Sequence, residues 1–216
     1  EEEIDKRIIM FDFALPAFVS GLALAVFSNS QYILLSILKT TSETGIFSVA
    51  MIISSVIATF PSILTSALFP IISYLSADEN SKERQAYLIE IVLRYALFLS
   101  LPIALLFIVF SKQLVIIFSS NLFVQASELI PILVFSSLLW GLGGIFSSNL
   151  YAIGKTKLNR NIVLLTVFIY FVLAIPLTMK FSSQGIALSY LISTSIFFLL
   201  NFLFLRKFLK IRFPFK

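Results

Sequence analysis

The chain places a short run of hydroxyl and amide side chains inside otherwise apolar sequence: Ser28-Asn29-Ser30-Gln31-Tyr32. These groups donate and accept hydrogen bonds without carrying charge, which suits them to bind a polar ligand or to join two helices. Ser28, Gln31 and Tyr32 are spaced three and four residues apart, so a helix would place them on one face. The pattern leaves helix packing and cavity lining both open.

Ionisable side chains are rare within the apolar runs. Glu90 and Arg94 are four residues apart with the acid first, the favourable order for a pair on a helix. The Arg94 head group could extend to the membrane surface, or its planar fork could bind a phosphate. Asp12 and Glu128 stand where apolar runs begin, and a carboxylate there stabilises a helix N-terminus.

The composition argues against catalysis. The chain has no cysteine and no histidine, which removes the usual zinc ligands, thiol nucleophiles and histidine bases. Its carboxylates do not cluster in any one loop, so no acid–base or nucleophilic arrangement is visible. We therefore expect no enzyme activity, no catalytic residue, no bound metal and no other cofactor.

Small residues concentrate in two of the apolar runs. Ser54, Ser55, Ala58 and Thr59 lie in one of them. The other contains Gly141, Gly143, Gly144, Ser147 and Ser148. Because small residues let helix backbones approach closely in a membrane, the two clusters predict mainly helix–helix packing.

The elements that must position these groups are membrane-spanning helices. Hydrophobic residues make up 59% of the 216 residues and charged residues 12%, against about 25% charged in soluble domains. Apolar runs long enough to cross a bilayer, about 20 residues, lie near 13–38, 46–75, 91–111, 129–151, 162–179 and 185–205, and Arg94 is the one charged residue within them. The runs are continuously apolar rather than alternating, which excludes barrel strands. The sequence predicts an all-α polytopic membrane protein with six transmembrane helices.

Basic residues predict the orientation. If six helices cross, twelve Lys and Arg residues fall on one side, and only Lys39, Lys112 and Lys180 fall on the other. Because basic loops stay in the cytoplasm, both ends of the segment are expected there, with the protein multi-pass in the cytoplasmic membrane. The basic residues are scattered over separate loops, so we expect no nucleic-acid partner. The apolar stretch 112–127 is too short to cross and is expected at the opposite interface.

Three regions are predicted: a cytoplasmic linker at 1–12, a six-helix lobe at 13–205 and a basic cytoplasmic tail at 206–216. The start is acidic and then basic, has no signal-peptide pattern, and reaches its first Met only at position 10. We expect this linker to follow another half of a longer chain.

Several segments carry a family resemblance. FALPAFVSGL, SQYILLSIL, TGIFSVAMIIS, SALFPIISYLS, LRYALFLSLPIALL, NLYAIGKTK and IPLTMKFSSQGIALSYLIS occur in an order that resembles the C-terminal half of polysaccharide and O-antigen unit flippases. These form the oligosaccharide flippase family of the multidrug/oligosaccharidyl-lipid/polysaccharide exporter superfamily. The resemblance runs from about Phe13 to Phe204. Many relatives carry an Asp-Arg pair where this chain has Gln31-Tyr32, so that charge is not carried over.

The resemblance implies one lobe of a twelve-helix, two-lobe transporter that moves a lipid-linked oligosaccharide across the cytoplasmic membrane by alternating access. The implied partners are the lipid-linked glycan, membrane lipids, an N-terminal six-helix lobe of the same chain, and glycan polymerase or glycosyltransferases. The residues expected to bind substrate are Asn29, Gln31, Tyr32, Arg94, Asn149 and Tyr151.

Two other functions stay open. A cation-coupled multidrug exporter of the same superfamily would need an acid deep within a lobe, and this segment offers none that is convincingly placed. A membrane scaffold that assembles glycan enzymes without transport is the other alternative.

Overall fold

The computed structural model describes residues 9–209, and every regular element among them is helical. A π-helical turn, Ile9–Ala14, leads into α1 (Leu15–Leu38), α2 (Thr41–Leu75), α3 (Lys82–Val109), α4 (Ser111–Phe118), α5 (Ile130–Ala152) and α6 (Thr156–Leu209). Short 3₁₀ helices, Glu79–Ser81 and Asn121–Glu128, precede α3 and α5. Residues 1–8 of the predicted linker and 210–216 of the predicted tail lie outside the described part.

Within the described residues, five helical stretches are long and apolar enough to cross a membrane, so the chain is a multi-pass membrane protein. They are Met10–Leu38, Thr41–Leu75, Lys82–Val109, Ile130–Ala152 and Thr156–Leu209. The last two of the six predicted apolar runs fall within one helical stretch, α6, which has 54 residues and contains a break at Ser182. The segment 112–127 forms α4 and a 3₁₀ helix, neither of which is long enough to cross.

Helix α6 is a hairpin of two arms, 156–181 and 183–209. Its helical backbone breaks at Ser182, where φ is 52° and ψ is −132°. The ring of Phe27 contacts both Tyr170, at 4.9 Å, and Tyr190, at 5.3 Å between centroids, although a straight helix would separate those tyrosines by about 30 Å. The two arms therefore lie side by side and run in opposite directions.

Contacts at the helix ends define two poles of the bundle. At one, the Thr156 hydroxyl donates to the backbone oxygen of Asp12, and Lys157 forms an ion pair with the Asp12 carboxylate. At the other, Lys39 Nζ donates to the backbone oxygen of Met179 at 3.1 Å, next to the reversal at Ser182. We call these the basic end and the Ser182 end. The basic end carries Lys82, Arg84, Lys155, Lys157, Arg160, Arg206 and Lys207.

Helix α5 occupies the centre. In the most apolar stretch of α5, 67% of the residues are buried, whereas 22–33% are buried in the corresponding stretches of the other spanning helices. An aromatic cluster joins α5 to α1 and to both arms of α6 through the rings of Phe27, Trp140, Tyr170, Tyr190 and Phe197. This packing fixes the position of Trp140 at the surface of the bundle.

Candidate functional site

A groove of about 530 Å³ lies between α2 and α5, far from the ends of either helix. Its walls are uncharged and rich in hydroxyl groups. The lining residues are Ser55, Ala58, Thr59, Ser62, Thr65, Ser66, Trp140, Gly141 and Gly144. Such a surface in the middle of a membrane-spanning bundle can exchange hydrogen bonds with a polar ligand without requiring it to be charged.

The sequence of α2 turns these hydroxyls toward one side. Ser55, Thr59, Ser62 and Ser66 follow one another at spacings of four, three and four residues, so they form one stripe along the helix. Their side chains are exposed on the surface of the bundle. The stripe faces the same groove into which α5 projects Trp140.

Four of the five hydroxyls that line the groove donate their proton to the helix backbone; Ser55 does so to the Ile52 oxygen at 2.8 Å. Ser62 donates to the Thr59 oxygen at 2.8 Å, and Ser66 donates to the Ser62 oxygen at 3.0 Å. Thr65 donates to the Pro61 oxygen at 2.7 Å. Each hydroxyl oxygen keeps lone pairs that can accept another bond. The groove therefore presents mainly acceptors, which match a ligand rich in hydroxyl donors.

The opposite wall is formed by α5. The Trp140 ring stacks on Phe197 at 4.9 Å and on Phe27 at 5.4 Å between centroids, which holds it in place while it remains half-buried. A Cβ atom added to Gly144 would meet nothing within 4 Å, so this glycine keeps the groove open. An aromatic surface thus faces a row of hydrogen-bond acceptors.

The polar stretch of α1 divides between two environments. Gln31 is fully buried, and neither of its side-chain polar atoms has a hydrogen-bond partner within residues 9–209. Tyr32 is half-buried, with its ring 5.9 Å from that of Phe47. Asn29 is exposed and donates to the Ala25 oxygen at 2.8 Å.

Ser28, Gln31 and Tyr32 lie in one helix at the predicted spacing, but they differ in burial. Ser28 is exposed and donates to the Leu24 oxygen at 2.9 Å, whereas Gln31 is buried. The buried stripe instead contains Phe27, Gln31 and Leu35, at spacings of four. Large apolar side chains on either side of Gln31 determine which face of α1 is buried, because they have most to gain from packing.

The other substrate-binding candidates lie on other helices. Arg94 is exposed on α3. Asn149 is buried in the last turn of α5, where its Nδ2 donates to the Ile145 oxygen at 2.7 Å; its Oδ1 has no partner in the described part of the chain. Tyr151 is half-buried in the same turn.

The six candidates do not converge on one point. Asn149 and Tyr151 lie at the basic end, where α5 leads into Thr156 and its contact with Asp12. Gln31 follows Asp12 by nineteen residues, which is about 28 Å of helix. Their roles as substrate-binding residues stay predictions, and the groove is a separate feature.

The chain was compared with the profiles of known protein families, and one of them matches. The profile of a family described as polysaccharide biosynthesis protein matches residues 4–128, more than half of the sequence. The chain belongs to this family. No curated protein matches the chain, and neither does any solved structure.

The match to the polysaccharide biosynthesis protein family covers helices α1 to α4, including the hydroxyl stripe on α2. It ends before α5, which carries Trp140. Sequence reasoning assigned Ser55 and Thr59 to helix packing. The signal that could have identified the groove is the continuation of their spacing to Ser62 and Ser66, since an exposed polar stripe on a membrane helix normally faces protein or water.

Proposed function

We propose that this member of the polysaccharide biosynthesis protein family moves a lipid-linked oligosaccharide across the cytoplasmic membrane by alternating access. The observation that carries the proposal is the hydroxyl-lined, uncharged groove between α2 and α5. In this mechanism the sugar travels along the groove while its lipid tail stays in the bilayer. The step needs no covalent chemistry, so the proposal includes no catalytic residue and no cofactor.

The groove supplies what a glycan loses when it leaves water. Each sugar hydroxyl that enters an apolar environment without a partner costs several kcal/mol, roughly 2–7 by transfer measurements. The free lone pairs of Ser62, Thr65 and Ser66 can accept those hydroxyl protons. The Trp140 ring offers an apolar surface for the face of a sugar ring. Because no charged side chain within residues 9–209 lines the groove, these features favour a glycan over the cationic cargo of a drug exporter.

The architecture supports a lobe of a larger transporter. In this proposal the helices α1, α2, α3 and α5 each cross once and the two arms of α6 cross separately, which makes six passes. The distribution of Lys and Arg between the poles supports a cytoplasmic basic end. The exposed hydroxyl stripe calls for a covering surface, which a second six-helix lobe of the same chain would provide across a central cavity. Glycosyltransferases or a polymerase would act before or after the transfer.

The test is transport by the full-length protein in proteoliposomes containing a fluorescent lipid-linked oligosaccharide. We expect the combined variant Thr59→Val, Ser62→Ala, Ser66→Ala to transport about tenfold more slowly or worse, since each lost hydrogen bond is worth about 1 kcal/mol. Ser36→Ala is the matched control, because Ser36 is an exposed serine of α1 that donates to the Ile33 oxygen outside the groove.

Equal transport by the groove variant and by Ser36→Ala would overturn the role of the groove. If the unaltered purified protein does not move the oligosaccharide but still assembles with glycan enzymes, the scaffold function replaces the transporter.

A further inference from the structure

A second polar cavity lies at the basic end, away from the groove. It has a volume of about 270 Å³ and is formed where the α2–α3 loop, the α5–α6 turn and the end of α6 meet. Its lining includes Asp78, Lys82, Gln85, Lys155 and Phe208. This volume suits a lipid head group rather than a drug-sized molecule.

The amide of Gln85 gives the cavity a fixed acceptor. Gln85 is 2% exposed, and its Nε2 donates to the Leu75 oxygen at 3.0 Å and to Ser81 Oγ at 2.8 Å. The backbone oxygen of Leu75 can only accept, so the amide orientation is determined. Its Oε1 is buried and has no partner in the described chain. A ligand in the cavity that donates a hydrogen bond would satisfy it.

Two lysines give the cavity a positive charge. Lys155 follows a turn in which Gly154 has φ 73° and the Lys155 N–H donates to the Leu150 oxygen at 2.8 Å. Its ammonium lies 5.1 Å from the centre of the Phe208 ring, a cation–π contact. Lys82 lines the same cavity from the start of α3. Among the described residues the lining has one carboxylate, Asp78, which accepts from the Asn80 N–H at 3.0 Å, against two lysines, so its net charge is positive.

We propose that this cavity binds the head group of an anionic phospholipid that carries free hydroxyls, such as phosphatidylglycerol. The phosphate lies between Lys82 and Lys155, and a head-group hydroxyl donates to Gln85 Oε1. Basic pockets between membrane helices recognise anionic head groups in this way. The site is independent of the proposed transport function and would serve the same bilayer leaflet as the basic end.

The test measures lipid retention by the full-length protein extracted from bilayers of defined composition, read by native mass spectrometry. The probes are phosphatidylglycerol, phosphatidylmethanol and phosphatidylcholine. Phosphatidylmethanol has the phosphate diester without a free hydroxyl. We expect phosphatidylglycerol to be retained most, phosphatidylmethanol less and phosphatidylcholine least.

Substitutions locate the binding. Lys82→Gln and Lys155→Gln should each lower phosphatidylglycerol retention about fivefold. The double variant Lys82→Arg, Lys155→Arg keeps both charges and should hold phosphatidylglycerol as well as the unaltered protein does. Arg84→Gln is the control, because Arg84 is exposed in the same region and does not line the cavity.

Retention that falls equally in Arg84→Gln would show a diffuse surface attraction and overturn the site. Equal retention of phosphatidylglycerol and phosphatidylmethanol would overturn the hydroxyl contact. Displacement of the lipid by free glycerol phosphate would show that the cavity binds a soluble phosphate compound, and would overturn the proposal that it binds a lipid head group.

Discussion

Gly141 of α5 lies directly against the ring of Pro61 in α2. A Cβ atom at Gly141 would come within 2.9 Å of Pro61 Cγ and within 3.2 Å of the Ala58 Cα atom. The missing side chain thus sets the separation of the two helices that form the groove. Close approach at this point places Trp140 opposite the hydroxyl stripe.

Gly141→Ala is expected to destabilise the full-length protein by about 1–3 kcal/mol, because a proline ring and a helix backbone cannot yield easily to an extra methyl group. Gly144→Ala is the matched control, since it lies three residues away on α5 with open space beside it. Thermal unfolding in detergent compares them. Equal midpoints for the two variants would show that the helices do not meet at Gly141.

The hairpin of α6 depends on Gly185. A Cβ atom there would lie 2.0 Å from the Leu177 oxygen, across the reversal at Ser182. We expect Gly185→Ala to lower the yield of folded protein sharply, because the clash is with backbone atoms that have no room to move. Gly21→Ala, with nothing within 4 Å of the added carbon, should fold normally. Folding of both variants with the same midpoint would contradict the close contact of the two arms.

Two buried glutamines are expected to respond in opposite ways. Gln31 has no hydrogen-bond partner in the described residues, whereas the Gln85 amide makes two hydrogen bonds. Gln31→Met should raise the free energy of unfolding by about 1–3 kcal/mol, because it removes unsatisfied polar atoms from an apolar site. Gln85→Met should lower it by about 1–2 kcal/mol through the lost bonds.

Thermal unfolding of the full-length protein measures both changes. Destabilisation by Gln31→Met would show that Gln31 has a partner beyond these residues, as its predicted role in substrate binding requires.

The sequence predicts the positions of the helices well, because about twenty consecutive apolar residues have few other uses. Its two last runs, ending at 179 and starting at 185, bracket the reversal at Ser182, although the backbone stays helical close to the break. The groove could not be predicted in this way. The spacing of the hydroxyls indicates only that this side of α2 faces protein or water. The packing of Trp140 against Phe27 and Phe197 shows what faces Thr59 and Ser62.

The polar stretch of α1 also shows that spacing in the sequence does not predict which face of a helix is buried. Spacing alone groups Ser28 with Gln31. In the structure Gln31 lies in the buried row with Phe27 and Leu35, whereas Ser28 is exposed. The face that a membrane helix buries is decided by its neighbours, and these come from distant parts of the chain such as Tyr170 and Tyr190.

The central claim is that the groove is an aqueous passage for a glycan. The 216 residues contain no cysteine, so a single cysteine placed here is the only thiol of this segment. The most direct measurement is the labelling rate of Thr59→Cys by a membrane-impermeant maleimide, with and without lipid-linked oligosaccharide. Val172→Cys is the control, at a position 56% exposed on the first arm of α6. It lies 16 residues from Thr156 at the basic end, as Thr59 lies 16 residues from Leu75. We expect Thr59→Cys to react much faster than Val172→Cys and to be protected by the oligosaccharide. Labelling no faster than the control, or unaffected by the oligosaccharide, would contradict the account.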